Sequence, residues 1–143
     1  MTNLEALRRG MGREGPRVGW QETVGARLAE VEAGRAVVEL DAHAGHRHPG
    51  GVVQGGIITQ IADAAMGMSL LIMQPEDEAN TTIELKINFV RPVVEGRVRA
   101  VGRVVEIRRT LLFGEADVFD SEGRLVARAS STCLAIPRQG WRG

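Results

Sequence analysis

One nineteen-residue stretch, from Gly55 to Met73, constrains this chain more than any other, because it is apolar and holds a single charged residue, Asp63. Apolar residues recur at the spacing of one helix face and further ones fill the opposite side, which predicts a helix buried on all sides. The recurring positions are Ile57, Ile58, Ile61, Ala62, Ala65, Met68 and Ile72. An unpaired carboxylate in such a helix is strongly disfavoured. Asp63 is therefore the first candidate functional residue.

Length and composition place this stretch in a single domain of ordinary globular character. The chain has 143 residues, 43% of them apolar and 25% charged, and a chain of that size buries about two thirds of its unfolded surface. Eighteen basic and 18 acidic residues leave no net charge, so neither nucleic acid nor a membrane is expected as a partner. The stretch is about long enough to span a bilayer, but Gln60 and Asp63 near its middle argue against that.

Two residue counts bear on the chemistry. The single Cys133 excludes an intramolecular disulfide and a cysteine metal site, and no signal-like segment opens the sequence, so a cytoplasmic protein is expected. Seventeen of the 18 basic residues are Arg. Arginine suits bidentate recognition of phosphates, but codon bias in a GC-rich genome would give the same excess.

Around the central helix, the sequence divides into an N-terminal helix and loop over 1–17, a main domain over 18–137 and a C-terminal tail over 138–143. Residues 2–11 suit a short, loosely docked helix, which glycines and Pro16 then end. The tail is expected to fray.

Strand patterns fill most of the main domain. Imperfect alternation predicts a strand from Gly19 to Glu32 and a return strand from Arg35 to Leu40. Further strands are predicted over 83–89, 98–104, 111–119 and 125–133, and the short connections make them mostly antiparallel. The predicted fold class is therefore α+β, with one long central helix wrapped by a curved sheet of five or six strands.

The start of the helix supplies a second functional clue. Gly55 and Gly56 allow backbone N–H groups to approach a ligand closely, and unpaired N–H groups at a helix N-terminus favour an oxygen that carries negative charge. Asp63 lies about 12 Å further along the axis, too far to act on a group held at its own helix start. Two antiparallel helices related by a twofold axis would bring each Asp63 near the other Gly55. If these residues form an active site, it is shared between subunits.

A family resemblance rests on this stretch and on the strand after it. The run H-P-G-G-V-V-Q-G-G-I-I-T-Q-I-A-D-A-A-M-G from His48, followed by T-T-I-E-L-K-I-N-F-V-R-P, resembles the hotdog-fold acyl-CoA thioesterases. It is most similar to the branch typified by the phenylacetate-pathway thioesterase, often written PaaI-like. The likeness runs from about Ala42 to Ala135. It implies hydrolysis of an acyl-CoA by a homodimer within a homotetramer, with no metal or cofactor, because coenzyme A belongs to the substrate.

The resemblance also implies roles for single residues. Asp63 matches the catalytic carboxylate, which acts as nucleophile or as general base for water. Gly55 matches the residue whose N–H polarises the thioester carbonyl. Thr82 matches a hydroxyl residue that helps to hold the attacking water.

Three more residues complete the substrate-binding set that the resemblance implies. His48 occupies a loop position where relatives usually carry Asn or Gln, and it can still donate a hydrogen bond. Gln54 stands where relatives commonly have His, and it keeps a donor and an acceptor but cannot act as an acid or base. Gly56 is the second glycine of the helix start.

Other interpretations of single residues stay open. Asp63 could be a structural carboxylate paired with an arginine. The three histidines, His43, His46 and His48, could approach a metal ion, although no nearby carboxylate or cysteine completes a ligand set and a solvated loop is favoured. Three arginines could meet the phosphates of coenzyme A or lie solvated at strand ends: Arg91, Arg108 and Arg109.

Two further functions are compatible with the same residues. A hotdog-type enoyl-CoA hydratase or dehydratase pairs a carboxylate with a loop histidine, a part that His48 could fill. A non-catalytic acyl-CoA-binding module would bind the thioester and release no thiol. The sequence has no Tyr, and its Met, Ile and small residues do not distinguish an aryl group from a medium aliphatic chain.

Overall fold

The computed structural model describes residues 1–11 and 19–140. Its centre is a helix, Gly55–Ile72, which packs against one face of a six-stranded sheet. Each pair of neighbouring strands in this sheet is antiparallel. The predicted fold class, one long helix wrapped by a mostly antiparallel sheet of five to six strands, is confirmed.

The elements follow in the order α1 (Asn3–Met11), α2 (Trp20–Val24), β1 (Ala26–Glu32), β2 (Arg35–Ala42), α3 (Gly55–Ile72), β3 (Glu78–Phe89), β4 (Gly96–Ile107), β5 (Leu111–Phe119) and β6 (Leu125–Pro137). Short 3-10 turns lie at Ala44–His46 and Arg138–Gly140. The strand order in the sheet is β1-β2-β4-β5-β6-β3. The strands that flank α3 in the sequence are therefore far apart in the sheet, and β3 forms one of its two edges.

The core lies between α3 and the inner face of the sheet. It is formed by buried apolar side chains of α3, β2 and β4, among them Ile58, Ile61, Ala62, Ala65, Met66, Val38, Leu40, Val98 and Ala100. Gly102 of β4 lies directly beneath the helix, because a Cβ at this position would come within 2.2 Å of the Ala65 backbone. The close packing of α3 on the sheet therefore depends on this glycine.

The outer face of the sheet carries a network of ion pairs between neighbouring strands. Arg27 of β1 pairs with Glu39 of β2 at 2.7 Å, and Arg128 of β6 pairs with Asp117 of β5 at 2.7 Å. The hydrogen bond from Arg128 is the main cause that lowers the pKa of Asp117, with a further contribution from the charge of Arg103. Much of the arginine excess is therefore engaged by carboxylates on this face.

The segment before β1 differs from the prediction. The sequence predicts one strand from Gly19 to Glu32, but Trp20–Val24 form the short helix α2 and the strand begins only at Ala26. Gly25 adopts the left-handed conformation, with φ of 83°, and its N–H closes the helix on the carbonyl of Gln21. A glycine in this conformation ends a helix, so the weak alternation before it was misleading.

The N-terminal helix is held more firmly than predicted. Asn3 is buried, and its side-chain amide donates to the carbonyl of Gln74 just after α3, at 3.0 Å. Arg138 donates to Asn3 Oδ1 at 2.8 Å. The α1 helix and the last 3-10 turn therefore close over the C-terminal end of α3. The predictions for 12–18 and 141–143 lie outside the described residues.

Candidate active site

The helix α3 has one stripe that the sheet does not cover. Eight of its 18 residues are buried, whereas this open stripe is exposed or half-buried and consists of Gln60, Asp63, Ala64, Gly67, Met68 and Leu71. The prediction that the helix is buried on all sides is therefore wrong, because the sheet packs on one side only. By length and composition alone α3 would also suit a membrane span, but its buried face packs on the sheet.

The open stripe forms one wall of a cavity of about 740 Å³. The opposite wall comes from α2 and the first half of β3, through Trp20, Ala79, Asn80, Thr81 and Thr82. Asp63 is the one charged residue in this lining, among the residues that the structure describes. A mostly apolar cavity with a few polar groups is the usual form of a site for a small organic molecule.

Asp63 is half-buried in this cavity and is held at one of its two oxygens. Thr82 Oγ1 donates to Asp63 Oδ1 at 2.8 Å, while no hydrogen bond to Oδ2 is found within residues 1–11 and 19–140. Thr82 precedes a β-bulge, where the pairing of β3 with β6 shifts between Thr82 and Glu84; bulges of this kind often re-aim a side chain. The carboxylate is therefore held at one oxygen, and the other has no partner among the described residues.

Trp20 is a site residue that the sequence analysis missed. Its half-buried indole lines the Asp63 cavity and packs against the core. The signal that could have revealed it is the pair of glycines around α2, since Gly19 and Gly25 have φ of 77° and 83°. Such backbone conformations favour glycine and mark the ends of a separate short element.

The N-terminus of α3 lies outside the Asp63 cavity. Gln54 is the N-cap residue, and its side-chain oxygen accepts the hydrogen bond of Gly56 N–H. Gly55 N–H has no hydrogen-bond partner among the described residues. Of the two glycines at the helix start, Gly55 thus keeps a free donor. The roles of Gln54 and Gly56 in substrate binding stay predictions, because the two are engaged with each other here.

Gly55 lines a second cavity, of about 400 Å³, together with Ile58, Phe89 and Arg91. Arg91 donates to the carbonyl of Leu125 at 3.0 Å and has no carboxylate partner in the part of the chain that the structure describes. Asp63 does not belong to this cavity. One chain therefore keeps its two predicted catalytic groups in separate cavities, about 12 Å apart along the helix.

The histidines lie in the loop before α3. His48 is exposed, its Nδ1 accepts from Gly50 N–H at 2.9 Å, and it lines neither the Asp63 nor the Gly55 cavity. His46 is buried, with Nδ1 accepting from His43 N–H at 3.2 Å and Nε2 within 2.7 Å of the Val24 carbonyl. Over the described ranges, no three His, Cys, Asp or Glu side chains lie together as a metal site.

Known proteins share both sequence and fold with this chain. The model of the thioesterase superfamily matches residues 50–127, which include Gly55, Asp63 and Thr82. A protein of Saccharolobus solfataricus that is provisionally named an esterase is 34% identical over 103 residues, or 72% of this chain and 73% of that protein. The 1,4-dihydroxy-2-naphthoyl-CoA hydrolase of Listeria monocytogenes is 26% identical over 122 residues, or 85% of this chain and 98% of the hydrolase.

Among solved structures, a phenylacetic acid degradation-related protein from Ralstonia eutropha superimposes with a TM-score of 0.79 at 25% identity. The superposition covers 90% of this chain and 98% of that chain. The similarity in fold therefore extends over most of this chain.

Proposed function

This chain belongs to the thioesterase superfamily and is a thioester hydrolase, and we propose that its substrate is an acyl-CoA and that two copies share each active site. The observation that carries this proposal is the Asp63 carboxylate, which lines an otherwise uncharged cavity and is held at one oxygen by Thr82. A carboxylate with one free oxygen can attack a thioester carbonyl or take a proton from water.

The geometry of α3 supports a shared site. Gly55 N–H is a free donor at the positive end of a helix dipole, suited to the oxygen of a thioester carbonyl as that oxygen gains negative charge. Because Gly55 and Asp63 of one chain are about 12 Å apart, the Asp63 that acts on this carbonyl comes from a second copy. In the reaction, water adds to the carbonyl carbon, the carbon–sulfur bond breaks and the thiol of coenzyme A leaves with a proton.

Exposed apolar side chains support the presence of that second copy. Ile83 and Phe89 of β3 are 56% and 51% exposed, and the neighbouring Val90 is 59% exposed. They lie on and just after the edge strand that borders the open stripe of α3. Several exposed apolar side chains on one edge of a sheet are consistent with an interaction site. We propose a homodimer formed around the open stripe, which would pair further into a cytoplasmic homotetramer.

The two cavities suit the two parts of an acyl-CoA. The Asp63 cavity, with Trp20, Met68 and Leu71 in its lining, would take the acyl group, and the flat indole suits an aromatic one. The 1,4-dihydroxy-2-naphthoyl-CoA hydrolase of Listeria monocytogenes is named for an aromatic acyl-CoA, which supports the same choice. Arg91, beside Gly55, would meet the phosphates of coenzyme A.

The substitution Asp63→Asn tests the proposal. It keeps the size of the side chain and removes the negative charge, so thiol release from aromatic acyl-CoA should fall at least about 100-fold, while the dimer and its thermal unfolding persist. Asp77→Asn, the same change at an exposed loop residue, should leave the rate unchanged. A metal chelator should also have no effect, because the proposed mechanism uses no metal.

Two outcomes would contradict the proposed function. Full activity of Asp63→Asn would exclude the carboxylate from the reaction. Hydration of enoyl-CoA without thiol release by the natural chain, or tight binding of acyl-CoA with no turnover, would favour the hydratase or the binding module instead.

A further inference from the structure

Cys133 contacts the Thr82 hydroxyl that holds the Asp63 carboxylate. Thr82 Oγ1 lies 2.8 Å from Asp63 Oδ1 and 3.6 Å from Cys133 Sγ. Thr82 and Cys133 face each other directly in the pairing of β3 with β6. Cys133 is fully buried and is absent from the lining of the Asp63 cavity. It therefore reaches the site only through Thr82.

The direction of these two bonds follows from proton counting. A threonine hydroxyl has one proton to donate and can accept through its lone pairs, whereas a carboxylate can only accept. Since the proton of Thr82 is given to Asp63, the contact with sulfur requires the thiol of Cys133 to be the donor. Burial raises the pKa of the Cys133 thiol, which keeps its proton in place at neutral pH.

The surroundings of Cys133 leave one competing acceptor. The thiol packs with Leu70 and Leu112 in a small apolar cluster. Ser131, two residues earlier on the same strand, has a buried hydroxyl with no hydrogen-bond partner among the described residues. The S–H group can thus point to Thr82 or to Ser131, and only the first arrangement supports Asp63.

We propose that Cys133 is a positioning residue: its S–H donates to Thr82 Oγ1 and so fixes the Thr82 hydroxyl on Asp63 Oδ1. The thiol fixes the orientation of the Thr82 hydroxyl. This hydroxyl in turn fixes the rotamer of the Asp63 side chain, so that Oδ2 faces the substrate. This inference rests on the proposed role of Asp63 as the group that attacks or activates water.

The S–H stretching vibration provides a test that does not depend on activity. The chain has a single cysteine, so its only S–H band in the infrared belongs to Cys133, and donation of a hydrogen bond lowers the wavenumber of that band. Thr82→Val should raise it, because the acceptor is lost, whereas Thr82→Ser should leave it close to its position in the natural chain. A band that moves with Ser131→Ala and ignores Thr82→Val would overturn the inference.

Kinetics test whether the contact matters for hydrolysis. Cys133→Ala should lower kcat roughly three- to tenfold with little change in KM, within the usual coupling range for residues of one hydrogen-bond network. Cys133→Ser retains a donor and should recover much of that loss. In the Thr82→Val background, Cys133→Ala should have no further effect on kcat, because the thiol acts only through the hydroxyl.

The matched control is Leu112→Val, which trims the same buried cluster without touching the hydrogen bonds. Any effect that it has on kcat should add fully to that of Thr82→Val, as expected for packing alone. If Cys133→Ala adds to Thr82→Val in the same way, Cys133 is only a packing residue and the inference fails. That result leaves the proposed function intact. The proposed function is overturned by a different result, full activity of Asp63→Asn.

Discussion

At the scale of single residues, the free N–H of Gly55 is the group whose role can be isolated most cleanly. Gly55→Pro removes this donor and nothing else from the backbone, because proline is favoured at the first position of a helix. The preceding Gln54 already has the extended conformation that proline requires, with ψ of 134°. We expect kcat to fall about 100- to 1,000-fold, as for the loss of one oxyanion donor, with unchanged thermal unfolding.

Gly55→Ala is the control for this prediction. It keeps the N–H, and its Cβ would contact the tip of the Phe89 ring at 3.0 Å, which the half-exposed ring can relieve by a small shift. Its loss of activity should be far smaller than that of Gly55→Pro. Equal losses in both variants would indicate that crowding, and not the donor, is responsible.

The sequence predicted which residues carry chemistry better than it predicted what they touch. Asp63 was predicted from the single charge in an apolar helix, and Gly55 was predicted from the two glycines at the start of that helix. Thr82 was predicted to help hold the attacking water, which stays a prediction, and its hydrogen bond to the carboxylate 19 positions earlier in the sequence was not foreseen. Contacts of this kind depend on strand order and on the bulge after Thr82, which leave no local pattern in the sequence. Trp20 was missed for a different reason, because Gly19 and Gly25 were not recognised as the ends of a short helix.

At the scale of elements, the packing of α3 on β4 depends on a missing side chain. Gly102→Ala would place a Cβ 2.2 Å from the carbonyl of Ala65, and backbone atoms cannot move aside as a side chain can. We expect a loss of about 3 kcal/mol in the free energy of unfolding, the upper end for overpacking, measured by urea denaturation.

Gly114 of β5 provides the comparison for that experiment. It also faces α3, but a Cβ there would lie 3.4 Å from Met66 Cβ and 3.5 Å from Leu70 Cδ1, which is close to ordinary contact. Gly114→Ala should therefore cost less than about 1.5 kcal/mol. Similar losses for the two substitutions would show that strand flexibility, not the approach of the helix, sets the cost.

Most elements were predicted from periodicity or from short apolar runs, whereas α2 was not. The alternation from Ile83 to Phe89 identified β3, in which Leu85 and Ile87 pack against the core while the residue between them is exposed. The segment Trp20–Val24 has no such pattern, and its helix is set by flanking glycines. The open stripe of α3 was also missed, since apolar residues that line a cavity have the same hydropathy as those in a core.

At the scale of the whole molecule, the central expectation is that two copies build each site. Asp63→Asn and Gly55→Pro should each be nearly inactive alone. In a mixed dimer of the two, one site carries both changes and the other carries neither. Random assortment after joint refolding should thus restore about a quarter of the natural activity.

The same mixture gives a clear contrary outcome. If Gly55 and Asp63 of one chain served one site, every site of the mixed dimer would carry a single defect, and activity would stay at the level of the separate variants. Native mass spectrometry on the mixture supplies the control, because the two substituted chains differ in mass and mixed dimers give a peak of their own.

The proposal of a shared site could be made from the sequence alone, because it needs only the helix rise and the spacing of two residues. The docking of α1 and the last 3-10 turn over the end of α3 could not, since it depends on one amide, Asn3, and on Arg138, which lie at opposite ends of the chain.

The edge strand β3 also affects how the chain avoids aggregation. The sequence has one lysine, Lys86, which is the ninth residue of this twelve-residue strand and lies three residues after the bulge at Ile83. An ammonium group must lose its water before a foreign strand can align beside it, and a bulge breaks the regular ladder that such a strand would need. Replacement of this lysine by an apolar residue would leave the bulge and the exposed Glu84 as the protection of this edge, so we expect the variant to form fibres more readily than the natural chain.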